Sequence, residues 1–130
     1  MANNIVFKGF RATEIEFVNK CENGAKLEFE NKYSYNVKYS TNNICVGEMT
    51  VEVNDKTNKD KFHIKAVVQG MFSYNPEVKT DLLHVQTFKE LFPYARTMIS
   101  SLTVNAGIPP VFIPNFDIES QSIYKFGKNV

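Results

Sequence analysis

The sequence predicts an α+β domain: a four-stranded antiparallel sheet followed by one long helix, a proline-rich connector and a short C-terminal helix. Three observations carry this expectation. Between Ile5 and Phe72, four stretches alternate apolar and polar residues, and polar turn residues separate them. After Pro93, residues Tyr94, Ala95, Met98, Ile99, Leu102 and Ala106 recur at spacings of three and four, which places them on one helical face. The segment IPPVFIPNF then combines core-like apolarity with three prolines, each lacking a backbone donor, so it cannot be a central strand. A chain of 130 residues is expected to form one domain, spanning 1–130.

The first strand is expected over Ile5 to Phe17, with Gly9 marking a bulge. Asn23-Gly24 is a turn signal of the kind that closes hairpins. Ala25 to Tyr39 carries the cleanest alternation. Leu27, Phe29, Tyr33, Tyr35, Val37 and Tyr39 fall on odd positions, and lysine, glutamate, serine and asparagine fill the even ones. Asn31 interrupts the apolar series and suggests a bend there. Ile44 to Val53 and Phe62 to Phe72 form the third and fourth strands, joined by the polar hairpin loop Asn54 to Asp60.

Val78 to Phe88 is a weaker helical stretch, with Leu82, Val85 and Phe88 available for contact. Pro93 suits the first position of the main helix, where its missing N–H would have no intrahelical partner. Gly107 and the prolines after it stop that helix. Asp117 can cap a short final helix. Lys125 to Val130 is expected to fray.

Composition excludes several functions. The formal net charge is +1 and there is no basic run, so nucleic-acid binding by phosphate neutralisation has little support. MANNIVFKGF lacks the charged start and long apolar centre of a signal peptide. No apolar run approaches the roughly 20 residues needed to span a bilayer, so no membrane insertion is expected and the chain reads as cytoplasmic. Cys21 and Cys45 are too few for a disulfide framework and match no zinc spacing with His63 and His84, so no metal or other cofactor is expected. Neither histidine has a nucleophile or carboxylate at a telling spacing, and no catalytic residues are assigned.

The apolar content exceeds what one sheet and one helix can hide. The tyrosines of the second strand and Val111, Phe112 and Ile113 of the connector are left over. Burial stabilises by about 25 cal/mol per Å² of apolar area, so exposing such residues is costly unless another chain covers them. Three readings follow from the residues: a polypeptide-binding surface, a plain oligomeric structural subunit, or a small enzyme with a pocket under the connector. The last is poorly supplied with polar groups, since the connector offers only Asn115 and Asp117.

Two motifs carry a resemblance to a known family. LFPYAR, followed by an apolar helix, a glycine, a proline and the triplet Asn115-Phe116-Asp117, resembles the SecB family of export chaperones. Val68-Gln69-Gly70-Met71-Phe72 is similar to that family's glycine-containing strand end. The resemblance covers most of Phe7 to Asp117. It implies a cofactor-free holdase without catalytic activity, working as a homotetramer built from two dimers, that binds unfolded or precursor polypeptides in apolar grooves. Pattern alone places the candidate residues in ordinary core. The resemblance implies a client-binding groove lined by Tyr33, Tyr35, Val37, Ile108, Val111, Phe112, Ile113, Phe116 and Ile118, and an oligomer interface through Tyr94, Met98, Ile99 and Leu102.

The family also docks the SecA motor through an acidic patch on the sheet. Here Glu14 falls on one acidic position, but Val18 stands on another, and His63 and Lys65 replace the family's leucine and glutamate. A lysine in place of a carboxylate reverses the local field. Docking to SecA is therefore expected to be weak or absent. SecB-like chaperones also serve toxin–antitoxin systems by shielding an antitoxin segment, which is the alternative reading.

Overall fold

The computed structural model describes residues 4–22, 27–109, 111 and 113. The order of elements is β1 (Ile5–Asn19), β2 (Phe29–Tyr39), β3 (Ile44–Asp55), β4 (Phe62–Tyr74) and α1 (Thr80–Asn105). The strands form one antiparallel sheet in the order β1-β4-β3-β2. The expected β1–β2 hairpin does not form, because β1 and β2 lie on opposite edges of the sheet; Asn23 and Gly24 themselves lie outside the described residues. At the β3–β4 turn the Lys20 N–H donates to the Lys61 carbonyl at 2.8 Å and the Lys56 N–H to that of Glu28 at 2.7 Å.

The apolar residues of β1 do not keep one parity. Register shifts between Phe7 and Gly9 and between Ala12 and Glu14 change it twice. Each bulge inserts one residue and turns the following side chains over. Ile5, Phe7, Phe10, Ala12, Ile15 and Phe17 thereby share one face, opposite Tyr74, Phe72, Gly70, Val68, Ala66 and Ile64. The first bulge falls at Gly9, whose φ of 147° is open to glycine and strained for other residues. The expected bend at Asn31 is absent: β2 pairs with β3 in unbroken register from Phe29 to Tyr39, with Asn31 opposite Val53. β3 and β4 each run two residues beyond their expected ends, and Asn54 and Asp55, expected in a solvated loop, are buried.

The two expected helical stretches are a single helix of 26 residues with Pro93 inside it. Proline at that position leaves the carbonyl four residues earlier without its usual donor. Burial on the sheet outweighs that loss, since Leu83, Phe88, Leu91, Phe92, Ala95, Ile99 and Thr103 make a continuous buried stripe through the proline. Leu82, expected to make contact, is exposed. The helix lies mainly over β3 and β4 and touches β2 least. Between helix and sheet sits the core, formed by Met49, Val51, Val53, Phe62, Ile64, Ala66 and Val68 with the helical stripe.

His84 belongs to this packed layer. Burial lowers its pKa below the ordinary 6.5, against a smaller upward pull from Asp81. The unfolded chain then takes up a proton that the folded chain refuses. Stability from this group is full above about pH 6.5 and is lost as pH falls through the folded pKa. Urea midpoints measured between pH 7.5 and 5 are expected to fall, and His84→Gln should flatten that part of the slope.

The expected final helix and the expected frayed end at 125–130 lie outside the described residues. No described helix is long and apolar enough to cross a membrane.

Candidate functional site

Along the helix-facing side of β2, alternation places Phe29, Asn31, Tyr33, Tyr35, Val37 and Tyr39 in one row. Their fates differ with their neighbours. Tyr35 is only 1% exposed. Its ring meets His84 and Phe88 edge-on, with centroids 5.2 and 5.3 Å away. Thr87 donates its hydroxyl proton to the Leu83 carbonyl at 2.6 Å, so the Tyr35 hydroxyl donates to Thr87 Oγ1. Burial pushes the Tyr35 pKa far up, which keeps the phenol protonated.

Room for this ring comes from glycine. A Cβ built on Gly47 would lie 2.1 Å from the Tyr35 hydroxyl oxygen and 2.9 Å from Cζ. Gly47 pairs with Gly70 on β4, where a Cβ would meet Leu91 Cδ1 at 3.0 Å. The two glycines form a notch into which Tyr35 and Leu91 settle. Tyr35 is consequently a core residue of the single chain and is not presented at its surface.

Tyr33 and Val37, on either side, are half-buried, and Phe29 and Tyr39 are 41% and 46% exposed. Burial raises the Tyr33 pKa. All four lie on an edge strand whose outer backbone groups have no partner strand among the described residues.

Thr103 holds the connector against the helix. It is buried, its hydroxyl donates to the Ser100 carbonyl at 2.9 Å, and its oxygen accepts the Val111 N–H at 2.9 Å. Ile108 and Val111 pack half-buried against the core, and Ile113 is fully buried within it. Thr103 was not singled out from sequence, although it continues the Ala95–Ile99 stripe by four residues. Thr103→Val is expected to cost about 1 kcal/mol in stability, the worth of one hydrogen bond. It should also speed amide exchange at Val111; unchanged exchange there would show that the tether does not hold the connector.

The nine residues expected to line a groove therefore separate. Tyr33 and Val37 are half-buried on β2, Ile108 and Val111 are half-buried after the helix, Tyr35 and Ile113 are in the core, and Phe112, Phe116 and Ile118 lie outside the described residues. Of the four residues expected at an oligomer interface, Ile99 is buried in the core, and Met98 and Leu102 are half-buried. Tyr94 is 40% exposed, its ring 4.5 Å from that of Phe10 and 5.3 Å from that of Phe7. Together with Ile15, 50% exposed, these rings leave an apolar flank between α1 and the β1 edge.

On the opposite face of the sheet, the end of β1 nearest His63 and Lys65 is polar. Lys65 Nζ lies 3.4 Å from Glu14 Oε2. His63 bridges Glu16, 3.2 Å from its Nε2, and Asn54, which bonds its Nδ1. Hydrogen bonds with Glu14 and His63 hold the Glu16 carboxyl below the usual carboxylate range. Both carboxylates at this end of β1 thus have a basic partner on β4. No group of three potential metal ligands occurs among the described residues.

The family model described as preprotein translocase subunit SecB matches residues 13–127. The chain belongs to the SecB family. Among curated SecB proteins, the protein-export protein of Bartonella quintana is 33% identical over 72 residues, covering 53% of this chain and 45% of its own. That of Caulobacter vibrioides is 37% identical over 59 residues, 43% of this chain and 36% of its own. The chain thus matches less than half the length of these SecB relatives. An uncharacterized protein of Methanocaldococcus jannaschii is 26% identical over 121 residues, 86% of this chain and 78% of its own. Among solved structures, the SecB-like chaperone Rv1957 of Mycobacterium tuberculosis, in complex with a ChAD peptide from the Rv1956 HigA1 antitoxin, superposes with a TM-score of 0.70. It is 14% identical, with 87% of this chain and 91% of that chain covered, a likeness that shows the SecB fold.

Proposed function

We propose that this SecB-family chain is an ATP-independent holdase for unfolded or precursor polypeptides, gripping them along the β2 edge and the connector. The observation that carries this reading is the half-buried apolar pair Tyr33 and Val37 on β2, a strand with no outer partner strand among the described residues, with Ile108 and Val111 half-buried against the same core. An extended client can add backbone hydrogen bonds to such an edge while its side chains rest on the apolar row. This recognises what unfolded chains share, without reading sequence. Aromatic lining provides contact area with little loss of rotamer freedom.

The apolar flank of Phe10, Ile15 and Tyr94 suits a second copy of the chain. We take the assembly to be a homotetramer, a dimer of dimers, in which several weak client sites act through effective concentration. Dilution of a denatured, reduced substrate protein tests the function. The chain should suppress light scattering at near-stoichiometric ratios without nucleotide; unsuppressed aggregation at tenfold excess would exclude holding.

One observation favours a second reading of the pathway. Lys65 offsets the Glu14 carboxylate, and His63 engages that of Glu16, on the face where an acidic docking patch would present them. This supports weak or absent SecA docking and favours shielding of an antitoxin segment. A pull-down with purified SecA decides: tight, salt-sensitive capture through the sheet face would restore the export role.

A further inference from the structure

We propose a second docking site, for an acidic polypeptide segment, on the outer sheet face around the Gly9 bulge. It lies across the sheet from the helix and the strip assigned to clients. The bulge sets Gly9 opposite Met71, next to Gln69 paired with Arg11. An open depression of about 440 Å³ results, lined by Lys8, Gly9, Arg11, Val46, Gln69 and Met71 among others. Its floor is apolar, with Met71 48% exposed, and Val6 beside it is 41% exposed.

Its rim is basic. Arg11 reaches the Gln69 amide oxygen at 3.4 Å, and the Gln69 amide nitrogen donates to Glu48 at 2.8 Å. The glutamine thus occupies Glu48 and stands between it and the guanidinium. Lys8 and Arg11 have no carboxylate at ion-pair distance among the described residues. Further along this face Lys65 pairs with Glu14, and His63 lies 3.2 Å from Glu16. At the depression the two cations Lys8 and Arg11 thus outnumber the one carboxylate, Glu48.

Two cations around an apolar floor fit an extended segment with carboxylates flanking an aliphatic side chain. The aliphatic group would rest on Met71 and Val46, and the carboxylates would meet Lys8 and the Arg11 fork. A nucleic acid would find only two cations and an apolar floor, which argues for a polypeptide.

Fluorescence anisotropy with a labelled Glu-Leu-Glu-Leu-Glu peptide tests this on the full chain. Binding is expected to weaken at least tenfold in Arg11→Glu and in Lys8→Glu, and several-fold in Met71→Ser. Peptides with lysine for glutamate, or serine for leucine, should bind at least tenfold more weakly than the parent. Saturation with an unfolded client should leave peptide binding intact. Equal affinity for the lysine peptide, indifference to Arg11→Glu and Lys8→Glu, or displacement by the client would each overturn the proposal. So would capture of anionic lipid vesicles in place of the peptide, or self-association lost on Met71→Ser. Loss of aggregation suppression has no bearing on this site, so the two proposals fail separately.

Discussion

Gly47→Ala is expected to lower the unfolding free energy by about 3 kcal/mol, the upper range for overpacking a core. The new methyl would fall 2.1 Å from the Tyr35 hydroxyl and 2.9 Å from Cζ, both in a ring fixed between His84 and Phe88. Moving the ring would break its bond to Thr87 and leave a buried hydroxyl without its donor. The cost should collapse in a Tyr35→Ala background, because the clash then has no partner. Denaturant unfolding of the two single variants and the double variant measures the coupling. An effect of Gly47→Ala that persists unchanged without the Tyr35 ring would show that the glycine serves another purpose.

Tyr33→Ser combined with Val37→Ser is expected to abolish most client holding while leaving the fold in place. Each side chain is half-buried at the β2 edge, so the pair should cost only about 2–3 kcal/mol in stability. The loss of holding should be larger, at least tenfold in the ratio needed to suppress aggregation. It removes the apolar row from the proposed site, while Tyr35 still secures β2 to the helix. Circular dichroism and solution mass separate a lost surface from a lost fold. Full suppression by a folded double variant would move the client site elsewhere.

What was legible in the sequence follows from how local each cause is. β3 and β4 were readable because burial on one face imposes period two without interruption. β1 was half readable: Gly9 announced its bulge, whereas the second shift, between Ala12 and Glu14, has no glycine or proline to mark it. Pro93 misled because local propensity favours it at a helix start, and the stripe from Leu83 to Thr103 overrides that preference. Strand order was hidden, since a turn signal such as Asn23-Gly24 does not say which strands pair. At the candidate site, the odd-numbered row of β2 was evident, but not that Tyr35 alone sinks into the core. That outcome needs Gly47 from β3 and Thr87 from α1, brought together only by the fold. Thr103 escaped notice for a similar reason, as its partner Val111 lies eight residues on, past two prolines.

Hydrogen–deuterium exchange of the chain with and without a bound unfolded client tests the central claim most directly. Client binding is expected to slow exchange at outward-facing amides of β2 and around Ile108 and Val111, leaving the outer face near Gly9 and Met71 unchanged. Protection confined to the β1 edge or the outer face, with β2 exchanging as in the free chain, would contradict it.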